Sequence, residues 1–125
     1  MYILDTDIVI WILREDPKVV STIGRLGESS TSVSTITIAE VYKNAFPSEI
    51  YSIEDLFDHQ IIYQISRNTA KEAGLYWNQF HKKLQGLAIA DCLVASTAKE
   101  YGLTVLTLNI RHFPMTDIKV INPLK

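Results

Sequence analysis

From Tyr2 to Leu13 the chain is apolar except for Asp5, Thr6 and Asp7, and few folds can accommodate such a stretch. A surface helix shows one apolar stripe, not an apolar circumference, and a membrane span needs about 20 residues, nearly free of acids. What remains is a buried strand, Tyr2-Ile3-Leu4, feeding directly into a mostly buried helix with Thr6 or Asp7 as its N-cap. The Arg14-Glu15-Asp16-Pro17 cluster stops that helix.

The same alternation continues to the other end. Lys18 to about Leu26 reads as a helix closed near Gly27, and the β-branched run around Ser32-Val33-Ser34 reads as a short strand. Thr37 is expected to cap a helix through Ile38, Ala39, Glu40, Val41 and Tyr42 that ends before Pro47, followed by a helix from about Ser52 to Phe57. Ile61-Ile62-Tyr63 is the next strand. Asn68 or Thr69 then opens a long helix with Ala73, Tyr76, Trp77, Phe80 and Leu84 at helical spacing. Gly86 breaks the pattern. A helix from about Ile89 to Tyr101 ends on Gly102 as C-cap, before the strand Leu103 to Thr107, and Val120-Ile121 adds a last edge strand. Strands alternating with helices, without repeats or low-complexity linkers, predict one α/β domain over residues 1–125. Its sheet should be mainly parallel and covered by helices on both faces. Active groups in such a sheet collect at the carboxyl ends of the strands, where Asp5 must lie.

Composition adds exclusions rather than a function. With 47% apolar and 21% charged residues and a net charge of −2, the chain is an ordinary globular one and offers a polyanion no bulk attraction. A nucleic-acid substrate would need locally placed Lys and Arg or bound cations. The single Cys92 precludes an internal disulfide, fits a reducing compartment and reads as a small buried hydrophobe, so a cytoplasmic protein is expected, without membrane attachment.

Three acids stand in apolar surroundings: Asp5 after the first strand, Glu40 between Ile38-Ala39 and Val41, and Asp91 between Ile89-Ala90 and Cys92-Leu93. Individually, Asp5 could cap a helix, and Glu40 and Asp91 could lie on solvated faces or serve as N-terminal helix charges. A carboxylate among apolar neighbours otherwise faces a crevice, pairs with a cation or binds a metal. If the three converge, their repulsion must be offset, and hard oxygen ligands without a Cys or His cluster point to Mg²⁺ or Mn²⁺.

Four ordered stretches give this pattern a family likeness: Tyr2-Ile3-Leu4-Asp5-Thr6-Asp7, Ser34 to Val41, Ile89 to Ala98, and Gly102 to Phe113. Together they resemble the PIN domain of the VapC toxins from VapBC toxin–antitoxin pairs, over nearly the whole chain. The resemblance implies a PIN-like fold, divalent-metal-dependent hydrolysis of RNA phosphodiesters, homodimerisation and inhibition by a VapB-like antitoxin. It implies Asp5, Glu40 and Asp91 as catalytic residues. Asp5 and Asp91 would hold the metal, and Glu40 would be a further ligand or the group that positions or deprotonates water. Products would carry 5′-phosphate and 3′-hydroxyl ends. Thr6 and Thr107 are expected to fix carboxylate rotamers. The family often has a fourth acid in the last stretch, where this chain has Asn109 and His112, and often has Asn where this chain has Asp7. Asp7 is thus expected as an outer ligand, Asn109 as a water-mediated ligand or carboxylate orienter, and one resident ion rather than two. Arg14, Lys43, Arg111 and His112 are the candidates for contact with RNA or a partner.

Two other readings use the same residues. Asp5-Thr6-Asp7-Ile8-Val9 after an apolar strand also resembles the first motif of haloacid-dehalogenase-type phosphatases, with Asp5 as nucleophile and Asp7 as acid/base. The closing acidic pair of that family is not visible past Asp91. A PIN-like module that binds RNA or protein without cutting is suggested by the missing fourth acid and opposed by the retention of Asp5, Glu40 and Asp91.

Overall fold

The computed structural model describes residues 1–125. Five parallel strands form one sheet: β1 (Tyr2–Leu4), β2 (Thr31–Ser34), β3 (Ile61–Tyr63), β4 (Thr104–Leu106) and β5 (Lys119–Ile121), in the order β3-β2-β1-β4-β5. Its helices are α1 (Thr6–Leu13), α2 (Pro17–Gly24), α3 (Thr35–Tyr42), α4 (Ile50–Asp58), α5 (Arg67–Phe80) and α6 (Ile89–Tyr101). No helix is long and apolar enough to cross a membrane.

Side-chain alternation along the strands divides the core in two. Ile3 and Val105 face a cluster built with Ala73, Tyr76 and Phe80 of α5 and Cys92, Ala95 and Ala98 of α6. Their neighbours Leu4 and Leu106 face the other side, against Ile8, Val9, Val19, Ile53 and Phe57 of α1, α2 and α4. The central strand β1 is therefore buried on both faces, which accounts for its unbroken apolar sequence. Its neighbours are β2 and β4, so the chain winds outward through β2 and β3, then crosses back to β4. The crevice at the ends of β1 and β4 is the topological switch point of the sheet.

The structure corrects several local expectations. Asp5, not Thr6 or Asp7, is the N-cap of α1, because β1 ends at Leu4 and the Thr6 N–H donates to Asp5 Oδ1 at 2.8 Å. Ser34, not Thr37, caps α3, and its Oγ accepts from Ile36 N at 3.2 Å. Pairing of Ser34 with Tyr63 carries the strand to that residue, so the turn follows at once and Thr37 falls inside the helix. Asp16 caps α2, which starts at Pro17 and stops at Gly24 rather than Leu26. The turn Pro47–Glu49 leads straight into α4, which starts at Ile50 instead of Ser52. Ser66 caps α5, whose last helical residue is Phe80, leaving Leu84 in the linker but still packed on the core. Gly102 closes α6 with φ 66°, a left-handed conformation that costs Gly little and other residues more.

Candidate active site

The end of β1 and the start of α1 place three polar side chains beside the end of β4. Asp5 N donates to Leu106 O at 2.9 Å, extending the β1–β4 pairing one step past the strand and fixing the Asp5 backbone. The residue is only 5% exposed. Besides the cap, its Oδ2 accepts from Thr107 Oγ at 2.8 Å, and that hydroxyl in turn accepts from Asn109 N at 3.0 Å. Thr107 is fully buried, so one rotamer of Asp5 is held from both of its oxygens.

In the first turn of α1, Asp7 faces the same loop. Its Oδ2 accepts from Leu108 N at 3.0 Å and from Asn109 Nδ2 at 3.2 Å, while the Thr107 hydroxyl lies 3.3 Å away. Asp7 Oδ1 is buried and has no hydrogen-bond partner. Such an atom bears the full cost of desolvation unless a cation or water satisfies it.

Glu40 approaches from α3. Thr6 Oγ donates to its Oε1 at 2.6 Å and lies 3.3 Å from the hydroxyl of the buried Thr37. The one Thr6 proton goes mainly to Glu40 at the shorter distance and only weakly to the Thr37 hydroxyl, so Thr6 is the group that orients Glu40. Asp91, the third residue of α6, has a side chain 18% exposed, and His112 Nδ1 lies 3.8 Å from its Oδ2. The structure thus brings Asp5, Thr6, Asp7, Glu40, Asp91, Thr107, Asn109 and His112 to one end of the sheet.

These acids sense one another. Burial, then the charges of Asp7 and Asp91, push Asp5 up to about 7 against the hydrogen bonds from Thr107 and Thr6. Burial pushes Asp91 up to about 6, helped by Glu40 and Asp7 and opposed by His112. Carboxyls held this high are short of positive charge. No three Asp, Glu, His or Cys side chains are close enough to hold a metal ion as a closed cage. The residues nevertheless fit a hard divalent ion: all donors are oxygens, one of them is buried without a partner, and Mg²⁺ needs only one or two carboxylates besides water and phosphate.

The flanking cations are distributed unevenly. Arg111 and His112 line a hollow of about 340 Å³ next to Asp91. Arg14 lies over the Trp11 ring, 5.4 Å from its centroid, and shares a smaller hollow of about 120 Å³ with Glu40. Lys43 is exposed past the end of α3 and makes no ion pair. Cys92, beside Asp91, is fully buried and its thiol is pushed up to about 11, so it is inert. Sequence reasoning missed Thr37 as a partner of Thr6, although a hydroxyl three residues before Glu40 on the same helix was a usable signal. It also missed the Leu108 backbone N–H and the 84–88 linker, which no local pattern marks.

Residues 2–118 match the family model described as PIN domain. Among proteins of known role, the chain is 29% identical to Ribonuclease VapC2 of Haemophilus influenzae, over 90% of this chain and 89% of that protein. It is 30% identical to Toxin FitB of Neisseria gonorrhoeae, over 98% of both. The DNA-bound VapBC structure from Salmonella typhimurium shares the fold, with a TM-score of 0.84 at 20% identity, covering 98% of this chain and 97% of that one. The chain belongs to the PIN-domain family and, over nearly its whole length, is similar to the VapC ribonucleases.

Proposed function

We propose that this protein is a metal-dependent endoribonuclease acting as the toxin of a toxin–antitoxin pair, with Asp5, Glu40 and Asp91 as its catalytic acids. The observation that carries this reading is the convergence of Asp5, Asp7, Glu40 and Asp91 at the switch point, with Asp5 and Asp91 both held above the ordinary carboxylate range.

Asp5 and Asp91 would hold the ion, Mg²⁺ or Mn²⁺, with Glu40 as a further ligand or as the base. Such an ion, when bound, polarises a phosphate oxygen and makes water a stronger nucleophile near neutral pH. Thr107 keeps Asp5 in one rotamer, and Thr6 does the same for Glu40. Glu40, oriented by the Thr6 hydroxyl, takes the proton of the attacking water. Asp7, held through Oδ2 by the Thr107–Asn109 loop, keeps Oδ1 unpartnered and would offer it to the ion or its hydration shell. Hydrolysis by water leaves 5′-phosphate and 3′-hydroxyl ends, with no part for the RNA 2′-hydroxyl.

The partnership rests on the relatives called ribonuclease and toxin and on surface chemistry. Trp11, beneath the Arg14 guanidinium, and Phe46 and Tyr51 are exposed and offer aromatic anchors to an antitoxin segment. A homodimer is proposed with the toxin reading, which sedimentation can test. A cytoplasmic location is proposed with the RNA substrate. The deciding experiment expresses the wild type, Asp5→Asn and Asp91→Asn, scoring growth arrest and cleavage of total RNA by the purified proteins in Mg²⁺. Arrest and cleavage by the wild type alone are expected. Equal cleavage by all three would refute the site.

A further inference from the structure

Beside the acids lies a hollow to which the chemistry so far gives no role. The 84–88 linker forms one wall, the turn carrying Arg111 and His112 forms the other, and Asp91 closes the side toward the catalytic acids. Its volume, about 340 Å³, lies at the lower end of the range for small-ligand pockets, roughly 300–1,000 Å³. That is room for one nucleotide unit and not for a duplex.

We propose that this hollow is a subsite for a single unpaired ribonucleotide flanking the scissile phosphate, and that Gln85 reads its base. The inference rests on the ribonuclease reading. Its walls combine what recognition of an unstacked base requires: an apolar surface, a flat ring to stack on and a polar edge reader. Leu87 is 8% exposed, and its carbonyl is fixed by Trp77 Nε1 at 3.1 Å, so the apolar wall is rigid. The His112 imidazole is 57% exposed and stands 3.8 Å from Asp91, at the side where the reacting phosphate would lie. Gln85 is exposed next to Gly86, whose φ of 80° turns the linker sharply at this point. Arg111 is exposed and enters none of the molecule's ion pairs, leaving a cation for the adjoining phosphate. Asp91 fixes the orientation, because the scissile phosphate would meet the catalytic acids on that side and leave the walls of residues 84–88 to the base.

Two variants test this. Ala88 lines the rim, is exposed and makes no side-chain cap, so Ala88→Trp fills the hollow without disturbing the core. It is expected to raise KM for single-stranded RNA at least roughly tenfold, while the rise in melting temperature induced by Mn²⁺ matches the wild type. Gln85→Ala is expected to flatten the base preference at one position next to the cut when a randomised RNA pool is cleaved and the ends are sequenced. An unchanged KM in Ala88→Trp together with an unchanged base pattern in Gln85→Ala overturns the subsite and leaves the nuclease reading standing. A wild type that cuts no RNA overturns the nuclease reading. The hollow is then judged by NMR titration with the four nucleoside monophosphates. Shifts confined to residues 84–88 and 109–112 and lost in Ala88→Trp support it, and no shifts overturn it.

Discussion

Replacing Asp5 by Asn should make the chelated protein more stable at pH 8 while abolishing its activity. Asp5 is 95% hidden and is held at about 7 instead of its ordinary 3.8, first by burial and then by the charges of Asp7 and Asp91. Below about pH 4 it is protonated in both folded and unfolded chains and contributes no pH dependence. Between pH 4 and 7 the unfolded chain releases the proton that the folded one retains, so stability falls as pH rises. By pH 8 the loss is on the order of 4 kcal/mol, since each pH unit is worth about 1.4 kcal/mol. Asn keeps the geometry: its oxygen can still accept from Thr6 N, and its amide can donate to Thr107 Oγ while that hydroxyl turns to Asp7 Oδ2. In EDTA, urea unfolding of Asp5→Asn should therefore exceed the wild type by roughly 3–4 kcal/mol at pH 8, about 10 °C or more in Tm, and match it near pH 4. Mg²⁺ should then stabilise the wild type and not the variant, because an ion binding only the folded form adds RT ln(1 + [L]/Kd). A variant less stable than the wild type at pH 8 in EDTA would refute the electrostatic picture of the site.

The Asp7–Asn109 pair should behave as an exchangeable unit. Asn109→Asp sets two carboxylates about 3 Å apart and should cost on the order of 1–2 kcal/mol at pH 8, whereas adding Asp7→Asn should restore most of it, read by a double-mutant cycle in Tm and in cleavage rate. Thr107→Val removes the donor to Asp5 and the acceptor for Asn109 N; unfolding should show a loss of about 1–3 kcal/mol, with cleavage falling at least about tenfold. Thr6→Val should lower kcat at least about tenfold with little change in KM, and Thr6→Ser should recover it, because only the hydroxyl orients Glu40.

The fold was legible wherever the signal was local. The apolar Tyr2–Leu4 run, the helical spacing from Ala73 to Phe80 and Gly102 all appear in the structure as the strand, helix and C-cap they suggest. Cap assignments failed where two polar residues compete. Ser34 and Thr37 are both good caps, and the choice is made by strand pairing with Tyr63, which is not a property of the segment itself. In sequence, cap and active-site acid are alternatives for Asp5, yet its two oxygens let it cap α1 and face Thr107 at once. The acids stood out because carboxylates in apolar runs are costly. The bonds that organise them, from Asn109 to Asp7 and from Thr107 to Asp5, span about a hundred residues and depend on the order of the strands. The hollow beside Asp91 was invisible for the same reason, since its walls come from segments meeting only in the folded chain.

The most direct measurement is the chemistry of the RNA ends. Purified wild-type protein is incubated with a single-stranded RNA in Mg²⁺ and, in parallel, with excess EDTA, and the fragments are analysed by mass spectrometry. Fragments with 5′-phosphate and 3′-hydroxyl termini, formed only with the metal and absent with Asp5→Asn and Asp91→Asn, are the expected result. Fragments ending in 2′,3′-cyclic phosphate, or cleavage that persists in EDTA, would contradict hydrolysis by water at a carboxylate-held ion.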